Sequence, residues 1–202
     1  MQDFNLDGVS NISGGEFRNL MIDGVGKCTG NILAESIRID GTFHCDGAVE
    51  TGMFRCDGVA EFTANIRAKQ LIIDGVVNLK GENNIEAERI ECNGVIKAGG
   101  QISADFIKTE GCIRAKELVG DSICIYSHPH NLMSLFSRQV SRVDLIEATS
   151  IDIKGVQAHM VNGTHIRIGP NCKIDTVDCS GTLFIDPTSI VGSVTGNYTM
   201  QR

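Results

Sequence analysis

Leu20-Met21-Ile22-Asp23-Gly24-Val25 decides the fold, because the chain keeps repeating it. It returns as Ile37-Arg38-Ile39-Asp40-Gly41, Phe54-Arg55-Cys56-Asp57-Gly58-Val59 and Leu71-Ile72-Ile73-Asp74-Gly75-Val76, so that Gly24, Gly41, Gly58 and Gly75 are evenly spaced. Ile90-Glu91-Cys92-Asn93-Gly94-Val95 follows after a slightly longer step, and Ile107-Lys108-Thr109-Glu110-Gly111-Cys112 restores the regular one. Phe4-Asn5-Leu6-Asp7-Gly8-Val9 is an earlier, looser copy. A second ladder keeps step with the first at Ile32/Ala34, Val49/Thr51, Ile66/Ala68, Ile85/Ala87 and Ile102/Ala104.

Within each unit apolar and polar residues alternate, which is the strand period. An acid or amide followed by glycine ends each run, and glycine is expected there to supply the positive φ of a sharp corner. One such unit cannot bury its apolar face alone, so consecutive units must stack on a shared core. Helical repeats would need longer runs at 3.6-residue spacing. The expectation is an all-β chain, a single-stranded parallel β-helix solenoid of about 10–11 rungs, with layers about 4.8 Å apart and a rod roughly 50 Å long.

Composition fits. Tryptophan is absent, only three prolines and two tyrosines occur, and a narrow core of Ile, Val, Leu, Cys and Ala is expected in place of bulky rings. A net charge of −7 gives no reason to expect nucleic acid as a partner. No run approaches the roughly 18 apolar residues of a membrane span, and Met1-Gln2-Asp3-Phe4 does not look like a secretory signal. Of the eight cysteines, Cys56 and Cys92 take the rung position of Ile22, Ile39 and Ile73, while Cys28 and Cys45 share another with Phe62 and Leu79. They are expected as small buried hydrophobes, free thiols of a reducing cytoplasm, with no Cys-x-x-Cys metal pair.

The chain divides into N-terminal repeats (1–126), an insertion (127–142) and C-terminal rungs that continue the same solenoid (143–202). In the turn after Ile107, Leu118 is aligned with Ile102 and Gly120 with Ala104, a step slightly shorter than the regular one. The interval from Ile125 to the matching Ile153 is longer than one turn, and the excess falls between Tyr126 and Val140. Leu132, Leu135, Phe136 and Val140 within the insertion are spaced as one face of a short helix. The insertion is read as a short helix or loop, expected to pack on its own solenoid as a flap, the alternative being a contact for another molecule.

Candidate chemistry is sparse. Asp23, Asp40, Asp57, Asp74, Asn93 and Glu110 should stack in one column, where neighbouring charges repel by about 0.9 kcal/mol in water. Turn chemistry explains them without a metal. Ile168-Gly169-Pro170-Asn171-Cys172-Lys173-Ile174 matches a single step of an acyltransferase hexapeptide repeat. His159 and His165 are the imidazoles a β-helix acyltransferase or carbohydrate-active enzyme would need near a groove. No catalytic residue, metal ligand or cofactor is nominated.

The rungs, together with Asn31-Ile32-Leu33-Ala34-Glu35, Asn65-Ile66-Arg67-Ala68-Lys69 and Asn84-Ile85-Glu86-Ala87-Glu88, resemble the bactofilin family of polymer-forming bacterial cytoskeletal proteins. The part containing Asp175-Thr176-Val177 and Ser180-Gly181-Thr182-Leu183 looks like the longer bactofilin-like proteins of Gram-positive bacteria. The resemblance implies a right-handed β-helix that polymerises end to end without nucleotide. On that basis the chain is expected to be a non-enzymatic structural protein of the cytoplasm, free or at the membrane periphery. Its partners would be itself, as homo-oligomer or filament, and cell-envelope proteins. Contact residues are expected at Phe4, Leu6 and Val9 at one end and Leu183, Ile185, Ile190 and Val194 at the other. A soluble scaffold or adaptor without polymerisation is the remaining alternative.

Overall fold

The computed structural model describes residues 1–127 and 140–201. Nineteen strands, every pairing parallel, wind into a β-solenoid of about 11 turns, with no helix among the described residues. Leu132, Leu135 and Phe136, and with them the expected helical face, lie outside the described residues.

A regular turn has three faces. In the turn at Ile32–Cys45 the first is residues 32–34, the second residues 36–39 and the third residues 42–45. Glu35 is skipped in the pairing with the next turn, marking the bend between the first two faces, while Asp40-Gly41 makes the corner before the third. Stacking register follows the repeat. Leu20, Ile37, Phe54, Leu71, Ile90 and Ile107 form one continuous inward column on the second face. Ile22, Ile39, Cys56, Ile73, Cys92 and Thr109 form its neighbour, so those cysteines replace aliphatics as expected. Ile102 pairs with Leu118, which is the shortened turn read from the sequence.

The core also takes aromatic rings, contrary to expectation. Phe43, Phe54 and Phe62 are among the largest fully buried side chains. Room comes from small neighbours in the same column: Phe43 stacks between Gly26 and Ala60. A Cβ on Gly26 would already stand 3.0 Å from the Phe43 ring. Phe62 meets Phe43 at 6.2 Å and Phe54 at 5.8 Å, both edge to face. Large and small residues therefore alternate along the axis, keeping the section filled.

The corner glycines are required for a different reason than positive φ. Among the Asp-Gly corners only Gly8 has one, at +102°, with Gly14, Gly15 and Gly81 making turns elsewhere. The others carry the ladder around the corner. Thr42, Val59, Val76 and Val95 each donate their N–H to the carbonyl of the glycine one turn below, at 2.8–2.9 Å. That bond seats each Cα directly above the lower glycine carbonyl. A Cβ on Gly24, Gly41, Gly58, Gly75, Gly94 or Gly111 would overlap that oxygen.

From Cys112 onward the faces merge into longer strands, Cys112–Tyr126, Ser141–Lys154, Val156–Ile168 and Lys173–Ile185. Ile151 pairs with Ile166, a tighter step than in the regular turns. On either side of residues 128–139 the strands pair from Arg114 with Arg142 to Tyr126 with Lys154. Ser141 closes the seam: its hydroxyl lies 2.7 Å from Ser127 Oγ and accepts the Ile113 N–H at 3.1 Å. Ser141 is fully buried yet satisfied.

Candidate interaction surfaces

Three kinds of outward surface result from this stacking: corner columns, flat faces and the terminal layers.

The acidic corner column exists, and arginines bridge it. Arg38 contacts Asp40 at 2.8 Å and Asp57 at 3.2 Å; Arg55 contacts Asp57 at 3.0 Å and Asp74 at 2.9 Å. Asn93 donates to Asp74 at 2.8 Å, and Lys108 pairs with Glu110 at 2.8 Å. The Arg55 guanidinium holds the Asp57 carboxyl below its usual range. Each bridging cation sits two positions before an acid, in the outward position of the same strand. Side-chain alternation alone could have identified it.

A second network crosses the third face. His44 lies 2.7 Å from Asp46 and 3.3 Å from Glu61, which pairs with Lys80 at 2.7 Å. The Lys80 ammonium lowers the Glu61 pKa, and His44 does the same for Asp46. At the corner leading to the first face, Asn31, Asn65 and Asn84 accept the backbone N–H of Ala48, Asn84 and Gln101 at 2.8–2.9 Å. The recurring asparagine is thus a side-chain rung. It leads into a shallow hollow of about 540 Å³ lined by Leu33, Glu50, Arg67 and Glu86 among others. A second hollow adjoins it, and neither is lined by histidine.

His159 and His165 are both exposed, His159 bonded to Asp175 at 2.6 Å and His165 to Thr182 at 2.9 Å. No cluster of three or more potential metal ligands occurs among the described residues. No helix long and apolar enough to cross a membrane occurs among them.

The expected contact residues fall into different environments. Phe4 is half-buried, its ring 5.9 Å from Phe17, and Leu6 is a core residue. Val9 is 86% exposed but faces sideways, as the first member of an outward column. Leu183 is buried beneath Met200, with Ile185 half-buried. Ile190 is exposed and Val194 half-buried in the last layer. Val140 is half-buried, its carbonyl accepting from Cys112 Sγ at 3.6 Å. Sequence reading missed Met200, which continues the inward column of Ile166 and Leu183 yet is 55% exposed.

No family model matches the chain, and no solved structure matches it. A 64-residue stretch, 32% of the chain, is 36% identical to the uncharacterized protein YhbE of Bacillus subtilis (strain 168) and spans 27% of that protein.

Proposed function

We propose that this protein is a non-enzymatic structural element of the bactofilin type, which assembles with further copies by stacking of terminal β-layers. The supporting observation is Met200. Its column-mates Ile166 and Leu183 are 3% and 0% exposed, whereas Met200, with no layer above it among the described residues, is 55% exposed. Val191 and Val194 beside it continue inward columns in the same way. A layer of matching register would cover all three and extend the backbone ladder. No catalytic step or cofactor belongs to this reading, and the cytoplasm or the membrane periphery is its setting.

Sedimentation and negative-stain microscopy without nucleotide test it. The wild type is expected to form concentration-dependent oligomers or filaments, and Val194→Asp with Met200→Glu to shift them toward monomer while the solenoid still melts cooperatively. A wild type that stays monomeric at every concentration and salt would overturn it.

A further inference from the structure

The residue after each Asp-Gly corner points outward. Val9, Val25, Thr42, Val59, Val76 and Val95 stack in one column on the third face. Val9, Val25 and Val59 are 86%, 50% and 48% exposed. No other outward column on the strands of the described residues stays free of charged side chains over these turns. The stripe ends at Cys112, which is buried. On one side lies the corner glycine column, a strip without side chains. Beyond that strip is the acidic corner, and on the other side runs the outward column Lys27, His44, Glu61, Asn78, Lys97, Arg114.

The geometry points to a second, lateral self-association site: the valine stripes of two copies pack face to face, with the solenoid axes parallel. Spacing selects the occupant. The stripe presents one β-branched group about every 4.8 Å in a straight line roughly 25 Å long. A second copy matches that spacing rung for rung, and the glycine strip lets two flat sheets approach closely.

Charge selects the orientation. A two-fold axis along the stripe sets the acidic corner of one copy against the polar column of the other, at the same height. Asp23 then meets Lys27, Asp40 meets His44, Asp74 meets Asn78, Asn93 meets Lys97 and Glu110 meets Arg114. Asp57 opposite Glu61 is the single like-charged pair, and Arg38 and Arg55 already hold Asp57. Antiparallel axes would instead set acid column against acid column. The stripe with its flanks is smaller than the roughly 800 Å² per partner of a stable interface, so the pair forms at high concentration and strengthens where several copies are joined.

Single-cysteine variants treated with a short bis-maleimide test this without depending on end stacking. Val25→Cys and Val95→Cys are each expected to give covalent dimer several-fold above both wild type and Glu50→Cys on the first face. A mixture of differently tagged Val25→Cys and Val95→Cys should give only like-with-like products, because the two sites lie about 19 Å apart along the axis. Adding Val59→Lys and Val76→Lys to Val25→Cys should remove the excess with circular dichroism unchanged. Dimer no greater than in Glu50→Cys, a dominant Val25–Val95 product, or an excess that survives the lysines would each overturn the proposal. Loss of end-to-end assembly in the Val194→Asp/Met200→Glu protein should leave the Val25→Cys dimer in place, separating this surface from the terminal one.

Discussion

Between Leu20 and Gly111 each turn closes through two residues, the second a glycine pressed against the glycine below it. After Tyr126 the same place in the stack is held by Pro170 and Pro187. The corner is equally long in both halves: Asp40-Gly41 spans the gap from Ile39 to Thr42, and Gly169-Pro170 and Asp186-Pro187 span those from Ile168 to Asn171 and from Ile185 to Thr188. The difference is the backbone path. Asn171 takes a φ of 61°, the Ser189 N–H bonds back to the Asp186 carbonyl at 3.0 Å, and Asp186 Oδ1 accepts both the N–H and the hydroxyl of Thr188, at 2.9 and 2.6 Å. That path, more than corner length, decides whether a side chain is tolerated.

The largest expected effect breaks that contrast directly. Gly58→Ala drives a methyl into the Gly41 carbonyl, which cannot move without losing the Val59 N–H bond of 2.9 Å. A loss of about 3 kcal/mol or more is expected, the upper range for a single substitution. Pro187→Ala occupies the corresponding site of an equally long corner that follows the other path, and should cost less than about 1 kcal/mol, chiefly from a freer unfolded chain. Urea titrations of both variants decide it. Equal losses would mean that the backbone path of the corner does not set the tolerance.

A second contrast lies in the buried thiols. Burial pushes Cys56 and Cys92 in the first half up to about 12, from an ordinary value near 9. The folded protein therefore keeps these protons between pH 9 and about 12 while the unfolded chain releases them. The stabilisation is complete below pH 9 and lost as pH rises toward 12. Cys56→Val/Cys92→Val should flatten the alkaline fall in melting temperature, and an unchanged alkaline limb would sink this account. Wild-type Cys56 and Cys92 should also stay unmodified by thiol reagent at pH 8 until the chain unfolds.

The sequence displays the rungs because strand alternation and the corner pair recur at fixed spacing, and the pairings of Ile102 with Leu118 and Ile125 with Ile153 follow from counting. Counting hides three things. Positive φ is the local explanation for a corner glycine, since nothing along one unit reveals the carbonyl one turn below. Valine after the corner reads as core until the bend at Asp-Gly turns it outward, as the exposure of Val25 and Val59 shows. Phenylalanine looks too large for the core because Gly26 and Ala60, which make room for Phe43, lie a full turn away on either side of it. All three are relations between layers, absent from any local window.

The smallest expected effect sharpens the comparison at the corner charges. The first half stacks Asp40, Asp57 and Asp74, whereas the second half has Lys154, Gly169 and Asp186 in those places and accumulates no acid. Arg55 spans two carboxylates of that column, with its side chain 39% exposed. Arg167 instead lies over the Phe184 ring at 4.4 Å. Because Arg55 is so open to water, Arg55→Ala should cost little in dilute buffer. Most of that is repulsion left between Asp57 and Asp74, which salt screens as the Debye length falls to about 3 Å at 1 M. The deficit of Arg55→Ala should therefore shrink in 1 M salt, while that of Arg167→Ala, which includes lost ring contact, should persist more fully. Melting curves at both ionic strengths compare the two. A deficit in Arg55→Ala that ignores salt would show that its packing along the strand matters more than the column it bridges.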